Sequence, residues 1–280
     1  MGKIINGRAI ADKILKKTAI RVAKLKKKKI TSKLAVILVG NDKPSQSYVR
    51  MKELAAKKIG MDFALYIYPE NITQKELTAE INKIQKDKKL SGLIVQLPLP
   101  NHLYTTEVLN TIKPEIDVDC LTDTNLGKLL MKTNYLTPPT PAAAIVILQE
   151  LKINPAGKNI TIIGMGALVG KPLAIIMVNE RANVVTCNSQ TKNIEEKCLT
   201  ADIIITGVGK RNILKGNMVK PGAIVIDTGI CFEKGKVYGD IDFEEVIKKA
   251  SFVTPTPGGV GPITIANLLY NTLLCAERNN

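Results

Sequence analysis

The chain has 280 residues, 45% of them hydrophobic and 23% charged, which suits one large or two modest folded cores and excludes a disordered chain. Its formal charge of +15 comes from 40 basic against 25 acidic side chains. Five cysteines, an odd number with no two closely spaced, and the single histidine His102 argue against a disulfide framework and against a metal site.

The charge is uneven. Residues 1–140 carry 25 basic and 13 acidic side chains, and residues 141–280 carry 15 and 12. A basic half suits nucleic acid, an anionic lipid surface or a small polyanionic substrate, and equally a set of solvated lysine-rich helix faces. With no tryptophan and few aromatics there is little sign of a base-stacking platform, which argues against nucleic acid. No stretch approaches the roughly 18 apolar residues of a membrane span, so the expectation is a cytoplasmic protein with no membrane partner.

In chain order, Ile10, Ile14, Val22 and Leu25 fall at helical spacing, closed by the lysine run 26–29. A strand over 34–39, a helix over 45–59, a strand over 63–68, a helix over 74–85 and a strand over 92–97 follow. Residues 113–141, rich in Pro, Asp, Thr and Asn, end in Thr137-Pro138-Pro139-Thr140-Pro141 and read as a domain boundary before a helix over 142–151. Strands over 159–163, 183–186, 203–206, 223–227 and 252–254 then alternate with helices over 168–179 and 243–249. A last helix, from residue 263, follows a second Pro/Gly cluster. Strand and helix alternating in this way predict α/β architecture with parallel sheets. The expected division is an N-terminal α/β domain over 1–139, onto which helix 263–280 packs back, and a Rossmann-like dinucleotide-binding domain over 140–262, with a cleft between them.

The strand over 159–163 runs into Gly164-Met165-Gly166-Ala167-Leu168-Val169-Gly170 and an apolar helix. This is the context of a dinucleotide turn, where glycine lets the backbone approach a pyrophosphate and the helix start supplies amide donors. The spacing is one residue longer than the common fingerprint, and a tight turn without ligand fits it too. The next strand ends without the Asp or Glu that usually takes a ribose 2′-hydroxyl. Cys187-Asn188-Ser189-Gln190-Thr191 stands there instead, so Ser189, Thr191 and Lys192 are candidates for a 2′-phosphate, or the segment is a plain polar loop.

Tyr48 and Lys52 stand four apart on the helix that starts near Pro44, and so share one face. Burial beside parallel strands would lower the lysine pKa toward working pH and suit proton transfer; packing on a helix surface fits the same spacing. Gln96 is the one amide in the apolar run 92–97, and a buried amide needs partners, in a core or in a site. Asp117-Val118-Asp119 lies at the domain boundary, where ligands often bind and where turns also use aspartate.

Taken together, these segments strongly resemble the FolD family of folate dehydrogenase/cyclohydrolases. The matching phrases are Ile5-Asn6-Gly7, Leu38-Val39-Gly40, Ser45-x-x-Tyr48-x-x-x-Lys52, Val95-Gln96-Leu97-Pro98-Leu99-Pro100 and Asp117-Val118-Asp119. Lys220-Pro221-Gly222-Ala223-Ile224-Val225-Ile226-Asp227 and Thr254-Pro255-Thr256-Pro257-Gly258-Gly259-Val260-Gly261-Pro262 complete the series. The resemblance implies oxidation of 5,10-methylenetetrahydrofolate with a nicotinamide cofactor, then hydrolysis of the methenyl product to 10-formyltetrahydrofolate. It implies a place in one-carbon metabolism, feeding purine and methionine biosynthesis. Lys52 would be the general acid/base, Tyr48 would position the pterin, Gln96 would hydrogen-bond Lys52, and Asp119 would bind the pterin donor edge. Val95, Leu97, Pro257, Gly258, Gly259, Val260 and Gly261 would line the folate, and Gly164, Met165, Gly166, Ser189, Thr191 and Ile230 the cofactor. NADP is the expected cofactor, with NAD the alternative, because Met165-Gly166 lacks a basic or hydroxyl residue after the first loop glycine. The family usually has glycine where Cys120 stands, so crowding of the pterin or oxidant sensitivity is expected there. Polyglutamylated folates as substrates and a homodimer complete what the resemblance implies.

Overall fold

The structure is a computed structural model that describes residues 1–233 and 235–279. The chain divides into two compact units. One comprises Met1–Ala11 with Thr140–Thr264, the other Asp12–Pro139 with the chain from Ile265 onward.

In the second of these units, strands β2 (Lys33–Val39), β3 (Asp62–Tyr68) and β4 (Gly92–Val95) form a parallel sheet in the order β3-β2-β4. A continuous apolar run such as that of β2 suits a central parallel strand covered on both faces. Its side chains alternate between two cores, as a period of two requires. Leu34, Val36 and Leu38 pack with helix α1 (Gly7–Lys27), helix α2 (Lys43–Lys58) and the C-terminal helix α10 (Val260–Arg278). Ala35, Ile37 and Val39 pack with helices α3 (Gln74–Ile84) and α4 (Thr105–Asn110). Local signals start the helices: Asp42 accepts from Ser45 N at 2.8 Å to open α2, and Thr73 and Glu76 form a reciprocal cap on α3.

Three expectations change here. The strand expected over 92–97 stops at Val95, although Gln96 N still donates to Ile37 O at 2.8 Å; Pro98 has no N–H to extend the ladder. Within 113–141, read as a boundary, helix α5 (Asp123–Leu130) forms behind a Thr122 cap. The last helix begins at Val260, three residues early, with Pro262 in its first turn. Asn280, the end of the span expected to pack back, lies outside the described residues.

In the other unit, six strands among the described residues form one parallel sheet in the order β1-β11-β8-β7-β5-β6. These are β1 (Lys3–Ile4), β5 (Asn159–Ile163), β6 (Asn183–Cys187), β7 (Ile203–Thr206), β8 (Ile224–Asp227) and β11 (Phe252–Val253). Helices α6 (Pro139–Glu150), α7 (Gly170–Asn179), α8 (Ile194–Leu199) and α9 (Phe243–Lys249) accompany them, with a short antiparallel pair, β9 (Cys231–Glu233) and β10 (Lys236–Tyr238). Ile204 and Val225 pack in one core with Val246 and Ile247 of α9, while the alternate residues Ile203, Ile205, Ile224 and Ile226 are buried too, so both faces are covered. Residues 1–11, assigned by sequence to the first domain, group here instead. Lys3 N donates to Ser251 O at 2.8 Å and Ile5 N to Val253 O at 2.8 Å, which makes β1 an edge strand of this sheet. Its two side chains are exposed, so no apolar pattern announces it.

Ile37, fully buried in the central strand, is the clearest test of the two-faced core. Ile37→Ala should lower the unfolding free energy by about 2–5 kcal/mol, read as a lower urea midpoint at unchanged slope.

Candidate active site

Helix α2 buries Ser45, Val49 and Ala56, and Tyr48 and Lys52 are half-buried on the same helix. The Lys52 Nζ donates to Gln96 Oε1 at 3.0 Å, one residue past the end of β4. The Gln96 amide nitrogen donates in turn to Leu97 O at 2.8 Å, which turns its oxygen to the amine. Burial lowers the Lys52 pKa from the ordinary 10.5, and the charge of Asp119 works against that shift. Burial also raises the Tyr48 hydroxyl. The structure thus brings Lys52, Gln96 and Asp119 together, with Tyr48 one helical turn before Lys52.

The two aspartates of the 117–119 segment differ. Asp117 is buried and accepts from Leu121 N at 3.3 Å, Thr122 N at 2.9 Å and Asn125 Nδ2 at 2.9 Å, which is turn and cap work. Asp119 faces the amine's charge. Between them, Val118 O accepts from Asn271 Nδ2 of α10 at 2.9 Å, and the same amide donates to Thr137 O at 2.8 Å. Asn271 therefore holds the segment that carries Asp119; the sequence reading missed it, because its only local signal is an amide on an apolar helix. Val95 packs in the core with Leu99 and Leu121, so its side chain is committed to packing, while Leu97 is half-buried against the same core.

Cys120 corrects an expectation. Its backbone is left-handed, at φ 57, where glycine is the easier residue, and its side chain fills core volume beside Val118 and Leu136. Burial pushes the thiol well above its ordinary value, so neither crowding of a pterin nor ready oxidation follows.

In the other unit the chain runs from β5 out to β6 and then back across to β7, so the strand order reverses between β5 and β7. Ligands of open parallel sheets bind at the carboxyl ends of the strands at such a switch point. Gly164 follows β5 there with φ +100, and a Cβ on Gly170 would lie 1.8 Å from the Gly164 carbonyl oxygen. Those two glycines are required by the turn itself. Gly166 is exposed, and a Cβ there would meet nothing within 4 Å, so its smallness leaves room beside the backbone for a ligand. Met165 is half-buried beside it.

After β6, Asn188 N donates to the Thr191 hydroxyl at 2.9 Å, so Thr191 closes its own turn, while Ser189 is exposed. Ile230 is half-buried beyond β8. Pro257 is exposed and Gly258 has φ +104, whereas Gly259 and Val260 are buried. The Gly259 carbonyl oxygen would lie 1.7 Å from a Cβ on Gly7, so the chain's own packing explains both residues. Gly261, like Gly166, faces open space.

Residues 5–119 match the model of the tetrahydrofolate dehydrogenase/cyclohydrolase catalytic domain, and residues 138–280 that of the same family's NAD(P)-binding domain. The chain belongs to the tetrahydrofolate dehydrogenase/cyclohydrolase family. It is 45% identical over 276 residues to the bifunctional protein FolD of Campylobacter concisus, covering 98% of each chain. The crystal structure of the bifunctional FolD enzyme of Campylobacter jejuni superposes with a TM-score of 0.97 at 41% identity, covering 100% of both chains. The Trypanosoma brucei FolD, solved with NADP cofactor and an inhibitor, superposes at 0.95 with 34% identity over 99% of this chain and 98% of that one. Within the family's catalytic domain stand Tyr48, Lys52, Gln96 and Asp119; within its NAD(P)-binding domain stand the Gly164 turn and residues 257–261. Among the described residues no group of His, Cys, Asp and Glu could hold a metal ion, and no helix is long and apolar enough to cross a membrane.

Burial raises the Asp119 carboxyl from its ordinary 3.8 to about 6; the charge of Lys52 opposes the shift and that of Asp117 adds to it. A carboxyl raised in the folded state favours folding while protonated, so its contribution is complete below pH 3.8 and is lost as pH rises through about 6. Wild type should therefore lose stability relative to Asp119→Asn across that window, followed by urea midpoints; a difference independent of pH would contradict the shift.

Proposed function

We propose that this chain oxidises 5,10-methylenetetrahydrofolate with NADP and hydrolyses the resulting methenyl compound to 10-formyltetrahydrofolate. The observation that carries the reading is the half-buried Lys52 amine, bonded to Gln96 and within reach of the Asp119 charge. The fit of the cofactor to this chain rests on the Gly164 turn at the switch point and on the open space beside Gly166. When bound, the nicotinamide accepts the hydride of the oxidation step. The turn at residues 164–166 would hold the pyrophosphate, with Ser189 and Thr191 near the adenosine ribose and Ile230 on the nicotinamide side. The absence of an acid after β6 supports NADP over NAD.

Lys52 carries the hydrolysis. Water adds to the amidinium carbon of the methenyl compound, a proton leaves the water, and a ring nitrogen must be protonated for the ring to open. An amine whose pKa is lowered by burial gives up and takes back a proton more readily than a solvated lysine would. Gln96 accepts one N–H of the amine and so fixes its direction, and the bond to Leu97 O keeps the amide from turning. Asp119, ionised above about pH 6, is a fitting acceptor for the two N–H groups on the pterin donor edge. Tyr48 supplies a ring and a hydroxyl beside the amine. Residues 257–261 keep their share in folate binding on the strength of the 254–262 phrase.

One-carbon metabolism in the cytoplasm and a homodimeric assembly belong to the same reading. So do polyglutamylated substrates, which the basic excess of residues 1–140 supports. A polyglutamate substrate should bind more tightly than the monoglutamate at low salt, with the advantage shrinking as salt rises; equal affinities at low salt would remove that part.

The decisive experiment offers methylenetetrahydrofolate to the enzyme with NADP and with NAD in parallel, beside Lys52→Met. Wild type is expected to reduce NADP faster than NAD and to hydrolyse the methenyl compound. Lys52→Met should lose at least about 100-fold in hydrolysis while keeping measurable cofactor reduction. Hydrolysis at the wild-type rate in that variant takes Lys52 out of the mechanism.

A further inference from the structure

We propose that Asp240 is a positioning residue for the nicotinamide dinucleotide, because its carboxylate fixes the backbone that walls the switch point between β5 and β7. This rests on the reading that this unit binds such a cofactor.

Three consecutive backbone N–H groups converge on the Asp240 carboxylate. Val208 N donates at 2.6 Å to one oxygen, and Gly209 N and Lys210 N donate at 2.8 and 2.9 Å to the other. Successive N–H groups turned toward one point make an anion cradle, and Gly209, at φ +77, supplies the backbone shape it needs. A cradle of this kind beside a dinucleotide turn is a candidate for the pyrophosphate. Here a fully buried side chain of the same chain already occupies it. The phosphates are left to the turn at residues 164–170, and the segment 208–210 is held as a wall.

Asp240 is itself held. Its N–H and that of Ile241 donate to one oxygen of Asp227, at 2.9 and 3.3 Å. The other Asp227 oxygen accepts from the Thr206 hydroxyl and from Gly229 N, each at 2.9 Å. Thr206 ends β7 and Asp227 ends β8, so two carboxylates tie together the loops that leave adjacent strands. The held segment lies against the dinucleotide turn: Gly207 N donates to Ile163 O at 2.8 Å, and a Cβ on Gly164 would meet Gly207 O at 2.5 Å and Val208 Cγ2 at 3.0 Å. Val208 nonetheless leaves 44% of its surface exposed, an apolar side chain on a fixed backbone beside the Gly164 turn. Letting 208–210 relax would move that wall while leaving Lys52, Gln96 and Asp119 untouched.

The test compares wild type with Asp240→Asn as full-length proteins. One readout is NADPH affinity by fluorescence titration. The other is hydrolysis of the methenyl substrate with no nicotinamide present. Asparagine keeps the size of the side chain but replaces one acceptor with a donor that faces backbone N–H groups. NADPH is expected to bind about tenfold more weakly, with hydrolysis within about twofold of wild type. Unchanged NADPH affinity overturns the proposal, and so does a parallel fall of both readouts, which would mark a residue that only supports the fold. If Asp240→Asn does not fold, Gly209→Ala decides. Its Cβ would meet only Ile230 O, at 3.4 Å, but the positive φ strains the same segment. It too should weaken NADPH, and wild-type affinity in that variant overturns the proposal. A wild-type protein that binds no NADPH sinks the functional reading itself, a different outcome from either.

Discussion

The candidate site is organised around one half-buried lysine amine that has a hydrogen-bond partner and a carboxylate charge near it. Burial disfavours the charged ammonium, and a nearby carboxylate favours it. Lys52 sits between these pulls, with burial the larger, while Asp119 feels the same competition from the other side and is raised to about 6. Burial thus shifts the two groups in opposite directions, the amine down and the carboxyl up. The Gln96 oxygen gives the amine a direction, which burial alone would not.

Holding such a pair requires a rigid floor. The parallel strand β2 supplies it by sending alternate side chains into two cores, so the sheet beneath α2 and β4 is clamped from both faces. The rim is held by amides and carboxylates. Asn271 of α10 secures Val118 O and Thr137 O, and Asp117 spends its oxygens on the turn ahead of α5. The two aspartates of one short phrase thus differ in what they are free to do, since the Asp117 carboxylate, engaged by three donors, has little left for a ligand.

The other unit solves a similar problem with acids alone. Asp227 and Asp240, both buried, accept from backbone N–H groups and, at Asp227, from the Thr206 hydroxyl. A buried carboxylate without donors would be costly, and with several it becomes an anchor. Parallel strands release their loops at one edge, where no ladder continues, and these side chains take over the hydrogen bonding there.

Much of this was determined by the sequence alone. The apolar runs of β2, β5 and β7 and the helical spacing of α3 are local signals, and local physics suffices to read them. The phrases that contain Tyr48, Lys52, Gln96 and Asp119, with those at 220–227 and 254–262, resemble the family's, and that resemblance implied its chemistry. Only the tertiary structure decided the remainder. It placed β1 in the six-stranded sheet beside β11, where two exposed side chains leave only backbone bonds as evidence. It sent Cys120 into a core, committed Asp117 to three donors of its own turn, and gave Asp240 three donors from 30 to 32 residues away. Each of these rests on a hydrogen bond or packing contact between distant segments, and neither periodicity nor composition encodes where a distant donor will arrive.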